Sequence, residues 1–208
     1  MREAFITALN EHKKTFGVEI GTNAVSRLAD YFELVQKHNE ILHLVAPSSM
    51  ENPEEFATRH ILESLTLLEF LPKGVKFADV GSGAGLPGIP CLLVREDLHG
   101  FLIESKLKKG QFLNEVRHEL NLHKRCVVIA RQFEEFKRPD VRIVTCRAID
   151  KFTQKLPGLL KWSTDAYLVF YGGENLRDEL KKHGLVFRQK LLPMSEKRFV
   201  FQIKKNKI

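Results

Sequence analysis

Residues 76–90, Lys76-Phe-Ala-Asp-Val-Gly-Ser-Gly-Ala-Gly-Leu-Pro-Gly-Ile-Pro90, decide how this chain reads. The apolar run Val75–Val80 carries one acid, Asp79, and opens into four glycines between residues 81 and 88. Glycine permits positive φ and lets a ligand approach backbone where a Cβ would clash. A strand that ends in such a turn and feeds a helix builds a nucleotide-cofactor site in an α/β sheet. The glycines alone do not say which cofactor.

Downstream, apolar runs and helical patterns alternate. Leu86–Val94 reads as a helix, His99–Glu104 as a strand, and Leu107–Leu120 as a helix with Phe112, Leu113, Val116 and Leu120 inward. Cys126–Ala130 and Val141–Cys146 read as strands, separated by a helical turn at Phe133–Phe136. Phe152–Trp162 is a predicted helix, Ala166–Tyr171 a strand and Asn175–His183 a helix. Phe187–Leu192 and Arg198–Lys204 then flank a Pro193-Met194-Ser195 turn, which makes them an antiparallel pair. Repeated β-α units build a parallel sheet covered by helices on both faces. The expected fold is α/β, an open sheet of about seven mostly parallel strands with ligands at their carboxyl ends. Asp79–Gly85, Glu104, Ala130–Phe133 and Thr145–Arg147 then surround a single crevice.

Upstream, residues 1–72 read as a helical extension packed on the α/β core of residues 73–208, the whole forming one compact unit. Ala4, Phe5, Ala8 and Leu9 mark a first apolar face. Thr22 or Asn23 caps a longer helix through Leu42, with Val25, Leu28, Ala29, Phe32 and Val35 on its stripe. Pro47 closes it, and Ser49 with Asn52-Pro53-Glu54 restarts a helix running through His60 to Leu71. Pro72-Lys73-Gly74 punctuates the chain.

Composition bounds the class. With 208 residues, 43% hydrophobic and 28% charged, the chain reads as an ordinary soluble protein. No apolar run approaches the ~18 residues of a membrane span, and Met-Arg-Glu-Ala-Phe lacks the features of a secretory signal. Cys91, Cys126 and Cys146 are odd in number and far apart, which fits reduced thiols in the cytoplasm and neither a disulfide framework nor a metal site. The net charge of +7 is uneven: residues 1–72 hold 6 Lys/Arg against 11 Asp/Glu, and residues 73–208 hold 27 against 15. A basic half bearing the cofactor turn suits a polyanionic partner. A surplus of solvated charge is the plainer alternative.

Gly83-Ala-Gly85-Leu-Pro-Gly88 matches the dinucleotide pattern, so a nicotinamide or flavin reading has to be weighed. A pyrophosphate needs a helix N-terminus free of competing negative charge, and Asp79 stands just before the turn. S-adenosylmethionine carries no phosphate but has a cationic ammonium and a sulfonium, so Asp79 favours the methyl donor. Glu104, at the end of the second strand, can accept from both ribose hydroxyls in either cofactor class. Thr145-Cys-Arg-Ala148 replaces the Asn/Asp-Pro-Pro-aromatic run of adenine amino-methyltransferases. Cys146 invites a pyrimidine-C5 mechanism, yet its Pro-Cys companion is missing, and a strand cysteine is usually packing.

These residues resemble the bacterial ribosomal RNA small subunit methyltransferase G family, also called glucose-inhibited division protein B. The Leu86-Pro-Gly-Ile-Pro90 ending carries most of the likeness. Arg59-His-Ile-Leu-Glu-Ser64, Glu104-Ser-Lys-Leu-Lys-Lys109, Arg131 with Glu134, and Arg147-Ala148 agree in order, as does the tail from Arg198 to Ile208. The resemblance implies a Rossmann-like class I S-adenosylmethionine-dependent fold and transfer of a methyl group to N7 of a guanine in 16S rRNA. It implies cofactor contacts at Gly81, Leu86, Gln132, Phe133 and Arg147, joining Asp79, Gly83 and Glu104. It further implies RNA-side or active-site roles for His60, Lys108, Lys109 and Arg131, with 16S rRNA or the small ribosomal subunit as partner; Arg198, Lys204 and Lys205 are among the basic residues available to neutralise its phosphates. Several positions depart from the family pattern: Gln132-Phe133, His43-Leu-Val45, Glu63 in place of Asp, and Tyr171-Gly172-Gly173 in place of a Lys-Gly.

Guanine N7 has an exposed lone pair and no proton to lose, so no general base is expected. Alignment for in-line displacement supplies roughly 7–11 kcal/mol in such a reaction. By the resemblance, Arg147 is the arginine expected to position the guanine through a hydrogen bond to O6. No metal is expected, and nothing suggests more than a monomer. The rival readings are a methyltransferase with another substrate, a non-catalytic RNA-binding module and a nicotinamide-dependent reductase.

Overall fold

The computed structural model describes residues 1–147 and 152–203. Ala148 and the tail from Lys204 to Ile208, with the expected RNA cations Lys204 and Lys205, lie outside the described residues. Strands β1 (Lys76–Val80), β2 (His99–Ile103), β3 (Cys126–Ile129), β4 (Ile143–Arg147), β5 (Tyr167–Gly172), β6 (Phe187–Leu191) and β7 (Phe199–Ile203) form one sheet. Its order is β3-β2-β1-β4-β5-β7-β6. The first five strands run parallel, and β7 lies antiparallel between β5 and β6. The chain winds outward from β1 to β3, then crosses back to place β4 on the other side of β1. That reversal opens a crevice at the carboxyl ends of β1 and β4.

Each sheet face is buried, as the parallel topology requires. Side chains alternate across β1, so Phe77 packs on one face and Ala78 and Val80 on the other. The first face also takes Leu92 and Leu93 from α6 (Gly88–Val94) and Phe112, Leu113 and Val116 from α7 (Leu107–Glu119). The second takes Leu156 and Leu159 from α8 (Phe152–Trp162) and Leu176 and Leu180 from α9 (Glu174–Lys182). Cys146 is fully buried in this second layer, and Cys91 and Cys126 are buried as well.

The helical extension shares the first layer's core. Phe5 of α1 (Arg2–His12) stacks on Phe32 of α2 (Thr22–Leu42) at 4.8 Å, and both rings meet Phe56. Pro47 does not close α2, which already ends at Leu42 with His43 in the left-handed region. Pro47 instead opens the short α3 (Pro47–Glu51), a position where its missing N–H costs nothing. Asn52 caps α4 (Pro53–Glu55), its Oδ1 accepting the Glu54 and Glu55 amides at 3.1 Å each.

The expected single helix through His60 breaks its α-periodicity. Phe56–Leu62 is a π-helical turn, followed by α5 (Glu63–Leu65) and a 3₁₀ turn at Thr66–Phe70. Other groups take the carbonyls there: Thr58 Oγ1 donates to Glu54 O at 2.8 Å and Ser64 Oγ to His60 O at 2.5 Å. Side chains inserted into the helical ladder are a common cause of such local widening, which often marks functional sites. Remaining element boundaries fall within a residue or two of the sequence reading.

Candidate active site

The glycine turn is tied down from below. Gly81 and Ser82 amides donate to Ile103 O at 2.8 and 3.1 Å, and Ser82 Oγ donates to Asp79 O at 2.8 Å. Gly81, Gly83 and Gly85 all have positive φ. A Cβ on Gly83 would meet only Gly81 O, at 3.8 Å, so that side faces open space, whereas one on Gly88 would lie 2.5 Å from Leu102 Cδ2 and 2.9 Å from Asp79 Oδ2. The turn therefore uses one glycine to leave room above it and another to pack α6 onto the sheet.

Asp79 is fully buried beneath this turn and does not line the cavity. Its Oδ2 accepts the Gly88 amide at 3.1 Å, and its Oδ1 has no partner. Burial pushes its carboxyl up to about 7, with the Gly88 amide opposing. Its influence on a ligand thus passes through the turn rather than through direct contact. Glu104, also buried, accepts the Gly83 amide at 2.9 Å and the Lys106 amide at 2.8 Å, one on each oxygen. Those bonds fix its carboxylate at the lip of the turn and leave a lone pair on each oxygen for a diol.

Above the turn lies a cavity of about 520 Å³. Gly81, Gly83, Leu86, Glu104, Gln132 and Phe133 line it, as do His60, Lys109, Arg131, Arg147 and Arg198. Lys108 is exposed and stands outside the lining. Phe133 is buried with its ring edge-on to Trp162 at 5.7 Å, so it forms a fixed apolar wall, while Gln132 is exposed at the rim. Lys109 Nζ donates to His43 O at 3.1 Å, which fastens the α7 start to the left-handed end of α2.

The opposite wall is a charged cluster. Arg147 donates to Ser64 Oγ at 3.0 Å, Arg59 O at 2.5 Å, Glu63 Oε2 at 3.1 Å and His60 O at 3.5 Å. Its guanidinium also lies 6.0 Å from the Tyr171 ring centroid, and the Tyr171 hydroxyl pairs with Thr66 Oγ1 at 3.1 Å. The expected bond from Arg147 to a guanine O6 therefore competes with four bonds inside the protein. His60 Nε2 is buried without a partner, and burial, reinforced by Arg147, Arg59 and Arg198, pushes its imidazole down to about 3. It stands neutral at any physiological pH.

The sequence reading missed Glu63 as a functional group, Lys155 and Tyr171 as lining residues, and Ser64 as a partner of Arg147. Lys155, on the first turn of α8, makes no hydrogen bond or ion pair among the described residues, and neither does Arg131. An amphipathic α8 beginning beside the crevice was the available signal for Lys155.

Residues 24–202 match the family model described as rRNA small subunit methyltransferase G. The chain belongs to the rRNA small subunit methyltransferase G family. A family member from Halorhodospira halophila is 36% identical over 166 residues, covering 78% of this chain and 76% of the relative. One from Sorangium cellulosum is 33% identical over 178 residues, covering 82% and 73%. Solved structures support the fold alone. A SAM dependent methyltransferase from Aquifex aeolicus superposes with a TM-score of 0.56 at 19% identity, over 79% of this chain and 97% of that one. The mitomycin 7-O-methyltransferase MmcR superposes with a TM-score of 0.60 at 14% identity, over 84% and 60%. For a methyltransferase G chain, the seven-stranded sheet and the site at its β1/β4 switch point have the expected arrangement. No described helix is long and apolar enough to cross a membrane.

Proposed function

We propose that this chain transfers a methyl group from S-adenosylmethionine to N7 of a guanine in 16S rRNA. One observation carries the reading beyond family membership: the cofactor-type turn opens onto a cationic wall that offers no free base. Among the described lining residues, Glu63 is held by two arginines, Glu104 by two backbone amides, and the His60 imidazole, pushed down to about 3, is too weak a base to take up a proton. Such a wall suits a nucleophile that has no proton to surrender.

The chain's own residues fit the methyl donor. Gly81, Gly83 and Leu86 would hold its methionine end, Glu104 the ribose hydroxyls, and Gln132 with Phe133 the adenine. When bound, the cofactor supplies an electrophilic methyl group on a sulfonium. Asp79 acts from beneath by fixing the turn through Gly88. Arg147 positions the guanine by fixing the wall against which the base rests. Arg131 and Arg198, with the more distant Lys108, neutralise phosphates, so RNA binding weakens steeply with salt. Residues 1–72 and 73–208 act as one unit, in a cytoplasmic monomer.

The test is turnover of labelled S-adenosylmethionine on small subunits from cells lacking the protein, with the labelled nucleotide mapped. Label at guanine N7 of 16S rRNA is expected; subunits that take no label would end this reading. Tight NADH binding without affinity for S-adenosylhomocysteine would favour the reductase instead.

A further inference from the structure

Glu63 has no part in the roles above, yet it is the most enclosed charge on the cationic wall. Its side chain is 1% exposed, against 16% for Arg147 and 29% for Arg198. Oε1 accepts both Nε and Nη2 of Arg198, at 2.8 and 2.6 Å, and Oε2 accepts Nη2 of Arg147 at 3.1 Å. The three residues come from distant parts of the chain: the segment just after the π-helical turn, the carboxyl end of β4, and the residue before β7. On the far side of the cluster lies a second cavity of about 360 Å³, and Arg59, Glu63 and Arg198 line both. The cluster is thus a partition between two open volumes, and packing alone does not hold it in place.

A buried carboxylate shared by two guanidinia adds little stability compared with an apolar wall of the same volume. It does fix geometry, because both arginines must meet one small anion. Two cations on one carboxylate also leave the cluster with a net positive charge. Arg198 Nη1 has no partner among the described residues, so the edge of its guanidinium turned away from Glu63 is available to an anion.

We propose that Glu63 is a positioning residue for methyl transfer, holding Arg198 and Arg147 at fixed places on the wall that receives the guanine and its phosphate. This rests on the rRNA reading above. Glu63 itself touches neither base nor cofactor; it acts through the two arginines.

The test compares wild type with Glu63→Gln, Glu63→Asp, Arg198→Gln and the double variant Glu63→Gln/Arg198→Gln. Each is assayed by thermal melting, S-adenosylhomocysteine affinity and single-turnover methylation of undermethylated small subunits. Misplacement of the arginines should cost Glu63→Gln and Arg198→Gln about 100-fold each in methylation, with thioether affinity unchanged. The double variant should fall no further than the worse single, and Glu63→Asp, which keeps the charge but draws it back by one methylene, should fall less than Glu63→Gln while staying below wild type. Multiplicative losses in the double variant would overturn the proposal, as would a methylation loss matched by lost thioether binding. Should Glu63→Gln fail to fold, Glu63→Asp decides: a lower rate with thioether affinity retained supports the role, and wild-type turnover overturns it. Absence of methylation by the wild type would instead refute the rRNA reading.

Discussion

The Tyr31 hydroxyl donates to the Ala84 carbonyl at 2.7 Å, so the second helix of the extension holds the glycine turn from behind. Both residues are buried. Removing the hydroxyl strands a buried acceptor in the turn that holds the cofactor. Tyr31→Phe should cost about 1–3 kcal/mol of stability. It should also weaken S-adenosylhomocysteine binding several-fold. Calorimetry and thermal melts on the same sample check both, and unchanged affinity would uncouple the extension from the site.

Glu104 lies between two backbone donors. Glu104→Gln places an amide NH₂ against either the Gly83 or the Lys106 N–H, so one good bond becomes a donor–donor contact. Together with the loss of charge-assisted bonds to a diol, worth about 1.5–3 kcal/mol, this should raise the thioether dissociation constant roughly 10- to 100-fold. Isothermal titration decides it; equal affinity would remove Glu104 from the ribose.

Asp79 makes stability depend on pH. Its carboxyl keeps its proton to about pH 7 in the folded chain, against the ordinary 3.8. The stability this contributes is present below about pH 4 and is lost as pH rises through 7. Asp79→Asn does not ionise, so its melting temperature relative to wild type should climb from pH 4 to 7 and then level off. A flat difference across that range would mean the carboxyl ionises normally.

Lys155 has no partner among the described residues and faces the cavity. Lys155→Gln should leave cofactor affinity alone and weaken RNA binding. If it contacts one phosphate, the slope of log affinity against log salt should fall by about 0.7–0.9. Filter binding over a salt series measures this, and an unchanged slope would make Lys155 a solvated surface cation.

The cofactor side of the site was legible because its information is local. Gly81, Gly83, Leu86 and Glu104 follow from a strand-turn-helix pattern and the end of the next strand, where spacing along the chain dictates position in space. Asp79 was legible as an acid at the right place, but its orientation was not. Only the packed structure shows its carboxyl turned down to Gly88, since a Cβ-less residue at 88 lets α6 approach so closely. Pro47 and the segment after it misled for a related reason. Helix propensity marks where a helix can run, whereas the π-helical turn at Phe56–Leu62 accompanies tertiary bonds to its carbonyls.

The sequence by itself determined the α/β class, the strand sequence, the glycine turn and its acid partners, and the family. Each rests on local periodicity, on turn chemistry or on a motif read in order along the chain. Tertiary structure alone decided the opposite wall. Glu63 meets Arg147 across 84 residues and Arg198 across 135, and Tyr31 reaches Ala84 across 53. No spacing rule extends over such separations, because a buried charge or hydroxyl takes whichever partner the finished packing brings within reach.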